Sequence, residues 1–234
     1  MFLSLMAMIL FLSVPASGRA MGTLPLFEGK WTEIFRQNGI TVYSQEPTGS
    51  NILAFRAVGV LRAGIDQVIE VLRKVEISRE WMPDVAERYT LEDFSDLDAI
   101  TYSLNPLPWP FANREMILRN SLRLDRKNKV LAVDTYSVDP DGVPRKKGAV
   151  RAHLHCGLTR VRPAGPGRTQ IEMNVFVDPG GYIPAWLVNL TQRTMPYDFL
   201  RALEKKAAST TYSLRPAFRR MLDDLVALME RPSS

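Results

Sequence analysis

The chain has 234 residues, 46% of them hydrophobic and 24% charged, with a formal net charge of +5. This is ordinary globular composition, with enough apolar material for one sizeable core. Basic residues are interspersed with acidic ones, and neither an RNA-binding signature nor zinc-finger spacing occurs, which argues against a nucleic-acid partner. Cys156 is the single cysteine, which excludes an intramolecular disulfide and a lipidated cysteine near the N-terminus.

Residues 1–16 (MFLSLMAMILFLSVPA) carry no charge. The run is shorter than the about 20 apolar residues that span a bilayer. Val14-Pro15-Ala16 and Gly18-Arg19-Ala20 offer small residues where a signal peptidase cuts. The expectation is an export signal over 1–20 and a periplasmic or secreted product. No Lys or Arg precedes the run, so an uncleaved membrane tether and a start at Met21 stay open as alternatives.

Residues 40–44 and 51–61 read as strands separated by the turn-rich 46–50. Ile65, Val68, Ile69 and Leu72 fall at helical spacing and predict an amphipathic helix over 64–75. A short helix over 77–82 ends before Pro83. Strands follow at 84–92, 98–105, 114–124, 129–138, 147–162 and 168–178, by period-two alternation or β-branched enrichment. Their short, turn-rich connections predict an antiparallel sheet. A long helix over 183–208 comes next, kinked or restarted at Pro196, and then an amphipathic helix over 214–230. Early strands, two helices, a long sheet and a C-terminal helix give an α+β fold of the helix-grip type. Its curved antiparallel sheet wraps around the long helix, and one helix alone does not fill the apolar face of that sheet.

Three segments, NREMILRN at 113–120, GAVRAHLHC at 148–156 and DPGGYIPAWLVNLTQRTMPYDFL at 178–200, resemble the START family, the steroidogenic acute regulatory protein and its relatives. Gly181-Tyr182-Ile183-Pro184 with Asn189 and Asp198-Phe199 is the most specific part, and Asn113-Arg114-Glu115 the next. The likeness runs from about residue 30 to 208. It implies a lipid-binding domain over 25–208, with 209–234 as a helical extension. It further implies a hydrophobic tunnel under the long helix, a loop at Asp139–Lys147 that closes it, one apolar ligand per domain and no cofactor.

Alternation predicts the inner face of each strand. Ile100, Tyr102 and Leu104 form the apolar set of one strand, and Met116, Leu118, Leu122 and Leu124 that of the next, with Asn120 among them. Val150, Ala152, Leu154, Cys156 and Leu158 form a third set, and Ile171, Met173, Val175 and Val177 a fourth. Glu115, Arg119, Ser121 and Arg123 then face water. Ile183, Leu187, Leu190 and Thr194 make a helical stripe that would roof the cavity, with Trp186 at its mouth. Tyr102 and Asn120 are polar groups on apolar faces, so each needs a partner: a ligand's polar end, each other, or an internal water. In sterol-binding relatives the matching positions hold a buried acid and a buried arginine. Both are neutral here, which argues against cholesterol. His153 and His155 alternate outward, with no third metal ligand evident.

The functional expectation is a monomer that binds one lipid or other apolar small molecule without catalysis, to transport or to sense it. Arg201, Lys205, Lys206, Arg215, Arg219 and Arg220 face only Glu204, and are expected to be solvated or to touch an anionic membrane transiently. The alternative is a helix-grip enzyme of the cyclase or aromatase type. That would need an inward acid, base or nucleophile, for which Asp134 and Tyr136 are the open candidates. A scaffold with a filled cavity is a third reading.

Overall fold

Asn38 and Gly39 both take left-handed backbone conformations, with φ of 49° and 76°, and fold β1 (Thr32–Gln37) back onto β2 (Ile40–Gln45). Asn-Gly suits such a two-residue turn because neither residue resists a positive φ strongly. The sheet therefore begins one strand earlier than the sequence predicts. The computed structural model describes residues 29–209 and 214–230, so the expected export signal over 1–20 lies outside the described residues.

After β3 (Ala54–Leu61), α1 (Ile65–Arg73) and α2 (Ser78–Trp81) cross to the far edge of the sheet. The side chain of Gln67 accepts from the Gly64 amide at 2.9 Å and caps α1, whose Ile65, Val68 and Ile69 are buried. Seven strands follow: β4 (Glu87–Ser95), β5 (Asp98–Asn105), β6 (Asn113–Asp125), β7 (Val130–Ser137), β8 (Ala149–Arg151), β9 (His153–Pro163) and β10 (Thr169–Asp178). Hydrogen bonding sets the order β1-β2-β3-β10-β9-β7-β6-β5-β4. All neighbours are antiparallel except β8, which pairs parallel with the start of β6.

The expected long helix is two. α3 (Ala185–Gln192) and α4 (Met195–Ala208) are separated at Arg193–Thr194, and Pro196 lies in the first turn of α4. A first-turn proline needs no amide hydrogen, so the break falls just before it. Leu200, Leu203 and Ala207 of α4 pack on Ile40, Val42, Ala57 and Leu61 of β2–β3 and on Ile171 of β10. Each such aliphatic side chain contributes about 1.5–3 kcal/mol by leaving water. α4 thus packs on the β2–β3 half of the sheet, whereas α2 and α5 approach the β4–β6 half. The last helix, α5 (Pro216–Glu230), buries Phe218 and Leu225. It is held at its start by an ion pair from Arg215 to Asp96.

Candidate functional site

The β4–β6 half of the sheet bounds a cavity of about 430 Å³, bordered by α1, α2, α3, α4 and the Phe218 side chain. That lies within the roughly 300–1,000 Å³ common for small-molecule sites. Alternation along β6 turns Met116, Leu118, Asn120 and Leu122 inward. Leu154 of β9, Met173, Val175 and Val177 of β10, and Met195 and Phe199 of α4 extend this apolar lining. β4 and β5 supply the opposite character: Arg88, Thr90, Thr101, Ser103 and Asn105 all face the cavity. The chamber is amphipathic, with a polar wall at the β4 edge and an apolar wall toward β10.

Of the residues expected at the site, Met116, Leu118, Asn120, Leu154, Met173 and Thr194 line this cavity. Ile100, Tyr102 and Leu104 do not. They turn to the opposite side of the sheet and pack with Ile117 under Val138, Val143 and Ala149. The segment at 139–147 accordingly covers the outer face of β5–β6 and leaves the cavity to be closed by helices. β5 is buried on both faces, and its polar side is the one that faces the cavity, so the apolar set misleads. The inward set, Thr101, Ser103 and Asn105, carries no signal except its phase.

β9 departs from simple alternation for a different reason. Phe176 pairs with Cys156 but Val177 pairs with Leu154, which leaves His155 as an extra residue. A bulge reverses the phase of the residues beyond it. Leu154 and Gly157 face the cavity, whereas Cys156 packs with Ala54 and Phe176. Burial pushes the Cys156 thiol up to about 11 and lowers His155, whose ring stacks on Phe176. Val150 lies beneath the Gly180–Gly181 turn, and the Ala152 amide donates to the Glu115 carbonyl at 2.9 Å. Neither reaches the cavity. Leu187 and Leu190 also miss it, because α3 is apolar nearly all round; it buries Val188 and presents Thr191 to the cavity instead. Leu190 and Trp186 are exposed.

Tyr102 and Asn120 do not meet. The Tyr102 hydroxyl donates to Glu115 on the outer face, and burial, reinforced by that carboxylate, pushes the phenol up. The Asn120 amide donates to Thr101 Oγ1 at 3.0 Å and to the Leu118 carbonyl at 3.1 Å. Its carbonyl accepts from Thr135 Oγ1 at 3.2 Å. Glu115, expected in water, is fully buried and also accepts from the Lys146 amide and Arg151 Nε, each at 3.1 Å. The ambiguity over β7 is resolved by Val133 and Thr135, which line the cavity, while Asp134 accepts from Arg123 Nε at 2.6 Å. Three of the six C-terminal basic residues are ion-paired: Arg201 with Glu204, Lys206 with Glu80 and Arg215 with Asp96. Among the described residues no group of three or more His, Cys, Asp or Glu is placed to hold a metal.

The two most specific motif segments interlock. Arg114 Nε donates to the Pro179 carbonyl at 2.6 Å, Nη2 to the Gly180 carbonyl at 3.0 Å and Nη1 to the Ala112 carbonyl at 2.5 Å. Gly180 and Gly181 have φ of 64° and 72°, and a Cβ at Gly181 would sit 3.3 Å from the Arg114 guanidinium. Glycine suits both the positive φ and the close approach. Asn189 then fastens α3 by accepting from the Leu53 amide at 2.8 Å and donating to the Asn51 carbonyl at 3.0 Å.

Comparison with known proteins agrees with this architecture. An uncharacterized protein of Pseudomonas aeruginosa is 28% identical over 177 residues, covering 76% of this chain and 86% of its own. The phosphatidylcholine transfer protein of Mus musculus is 26% identical over 179 residues, covering 75% and 82%. The crystal structure of a STAR-related lipid transfer protein fragment from Xanthomonas axonopodis superposes with a TM-score of 0.68 at 31% identity, over 76% of this chain and 99% of that one. Human StAR-related lipid transfer protein 5 superposes at 0.67 with 17% identity, over 76% and 86%, which speaks to the fold alone. The START domain family model matches residues 26–208, and the chain belongs to that family.

Proposed function

We propose that the domain binds a single lipid molecule in this cavity and carries it between membranes without altering it chemically. The observation that carries this reading is the amphipathic cavity of about 430 Å³ between the sheet and α4. An apolar wall for alkyl chain and a polar wall for a headgroup are what an amphiphile needs to leave water. Membership of a family that includes phosphatidylcholine transfer proteins supports it. A lack of catalytic machinery supports it too: no histidine or cysteine lines the chamber among the described residues. Of the five aspartates that line it, Asp96 and Asp98 are engaged by arginines, and Asp84, Asp93 and Asp198 are exposed to solvent.

The surface suited to meeting a membrane lies at one end of the sheet. Trp109 is 92% exposed, and Tyr182, Trp186 and Leu190 also project into solvent. Arg114 ties the segment carrying Trp109 to the turn before Tyr182. Aromatic side chains of this kind settle at the boundary between headgroups and hydrocarbon. The net charge of +5 favours an anionic surface. In this reading the protein acts as a monomer outside the cytoplasm, after removal of the apolar segment at 1–16.

The test is native mass spectrometry of protein incubated with mixed-lipid vesicles and then separated from them, together with a vesicle-to-vesicle transfer assay. One unmodified lipid per protein, and transfer that weakens in a Trp109→Ala, Trp186→Ala double variant, are expected. A ligand converted in proportion to time and protein would overturn the carrier reading. Intact-mass measurement on protein from the native host should show loss of about 16–20 residues.

A further inference from the structure

Arg88 enters the cavity from β4, paired across to Ser103 of β5, and its cation has no counter-charge. Nη1 donates to the Met82 thioether sulfur at 3.1 Å, a weak acceptor. Nε is buried with no partner, and Nη2 forms no hydrogen bond among the described residues. The other arginine of the cavity wall, Arg73, differs in this respect, since it pairs with Asp96 at 3.0 Å. Five aspartates also line the cavity, and none of them pairs with Arg88. Asp96 serves Arg73 and Arg215, Asp98 serves Arg119, and Asp84, Asp93 and Asp198 are exposed. Burial, unopposed by any acid, pushes the Arg88 guanidinium down to about 10.

Arg88 is half-buried, with its Nε end out of water and without a partner; such a group is costly, and an anion on that edge would offset the cost. The unused part of the guanidinium is its Nε–Nη2 edge, which offers two parallel N–H groups. That fork matches the two oxygens of a carboxylate or a phosphate.

We propose that Arg88 is the headgroup-recognition residue of the cavity and that the ligand is an anionic amphiphile. Its carboxylate or phosphate lies on the Nε–Nη2 edge, and its alkyl chain runs over Met116 and Leu118 toward Met173. The proposal rests on the lipid-carrier reading and deepens it by naming the charge of the cargo.

Two matched pairs of probes test it by fluorescence displacement: palmitate against hexadecanol, and phosphatidic acid against the diacylglycerol of the same chains. The wild-type protein is expected to prefer the anionic member of at least one pair by roughly 10- to 100-fold, the worth of a charge-assisted two-point contact. A preference confined to the first pair identifies a carboxylate, and one confined to the second a phosphate. Arg88→Met should erase the preference while leaving the affinity for the neutral member within about twofold. It should melt no lower than wild type, because it removes a half-buried charge that has no partner. Arg88→Gln is a second neutral variant, read the same way if the first fails to fold. Equal binding of neutral and anionic members by the wild type, or a preference that survives both substitutions, overturns the role of Arg88 and leaves the carrier reading intact. Failure of all four probes to bind overturns both.

Discussion

The Tyr102 hydroxyl donates at 3.2 Å to the carboxylate of Glu115, which is fully buried on the face of the sheet away from the cavity. Arg151 and the Lys146 amide complete the set of donors around that carboxylate. The arrangement locks the segment before β8 onto β6, and so keeps the outer face of β5 dry.

Tyr102→Phe should therefore cost about 1 kcal/mol of stability, one hydrogen bond's worth. Glu115→Ala should cost about 2–3 kcal/mol, because the Tyr102 hydroxyl and the Lys146 amide lose their acceptor and Arg151 keeps only the exposed Asp139 at 3.0 Å. Neither should change lipid affinity, since both positions lie across the sheet from the cavity. Denaturant titration and lipid titration on the same samples check the two halves of this expectation. A large fall in affinity for Tyr102→Phe would contradict the placement of that ring.

Asn120 is bound into the cavity wall by Thr101 and Thr135, one on each flanking strand. Asn120→Leu removes both links and should cost about 1–2 kcal/mol of stability. A double-mutant cycle of Asn120→Leu with Thr135→Val should show coupling. The cycle with Tyr102→Phe should be additive within about 0.5 kcal/mol, because the two side chains share no partner. Coupling between Tyr102 and Asn120 comparable to that between Thr135 and Asn120 would contradict the opposed faces.

What the sequence discloses depends on how many faces of an element are buried. β6 carries charge at Arg119 and Arg123 on one side and aliphatic residues on the other, so its inner face is legible. β5 is not legible, because Ile100, Tyr102 and Leu104 are buried beneath a distant segment that no local pattern announces. α3 is illegible for a related reason: Trp186 and Leu190 are exposed, and apolar residues surround its axis. The bulge at His155 comes from pairing between β9 and β10, which is a property of two strands. The Asn38–Gly39 turn, by contrast, carries a clear local signal in its residue types alone. Arg88 is hidden because an arginine in a polar stretch looks solvated until the helices that bury it are in place.

Filling the chamber should separate binding from folding. Leu154 lies where β9 faces Leu118 and Val175, at the apolar wall. Leu154→Trp places an indole in space that the cavity leaves open. It should abolish lipid uptake at a stability cost of about 1–3 kcal/mol from imperfect packing. Circular dichroism and native mass spectrometry read these two quantities independently. Undiminished uptake would mean that the lipid occupies some other site.

The last expectation concerns the end of the cavity closed by α5. Asp96 accepts from Arg73 at 3.0 Å and from Arg215 just ahead of α5, and the Arg73 guanidinium lies 5.4 Å from the Phe218 ring that closes the chamber. The hydrogen bond from Arg215 is foremost among the interactions that hold the Asp96 carboxyl below the usual carboxylate range. A depressed folded-state value means that the contribution is present above the unfolded value, near about 4. It is lost as pH falls through the lower folded one. Acidification into that window should therefore loosen α5 ahead of the sheet, and Asp96→Asn should loosen it at neutral pH. Hydrogen exchange followed by mass spectrometry should then show faster exchange across Pro216–Glu230, with β9 and β10 unchanged. The same variant should take up lipid faster, because Phe218 leaves its seat more often. If α5 exchanges at the wild-type rate in Asp96→Asn, the buried side chains of Phe218 and Leu225 hold the helix by themselves, and the ion pair plays no part in closing the chamber.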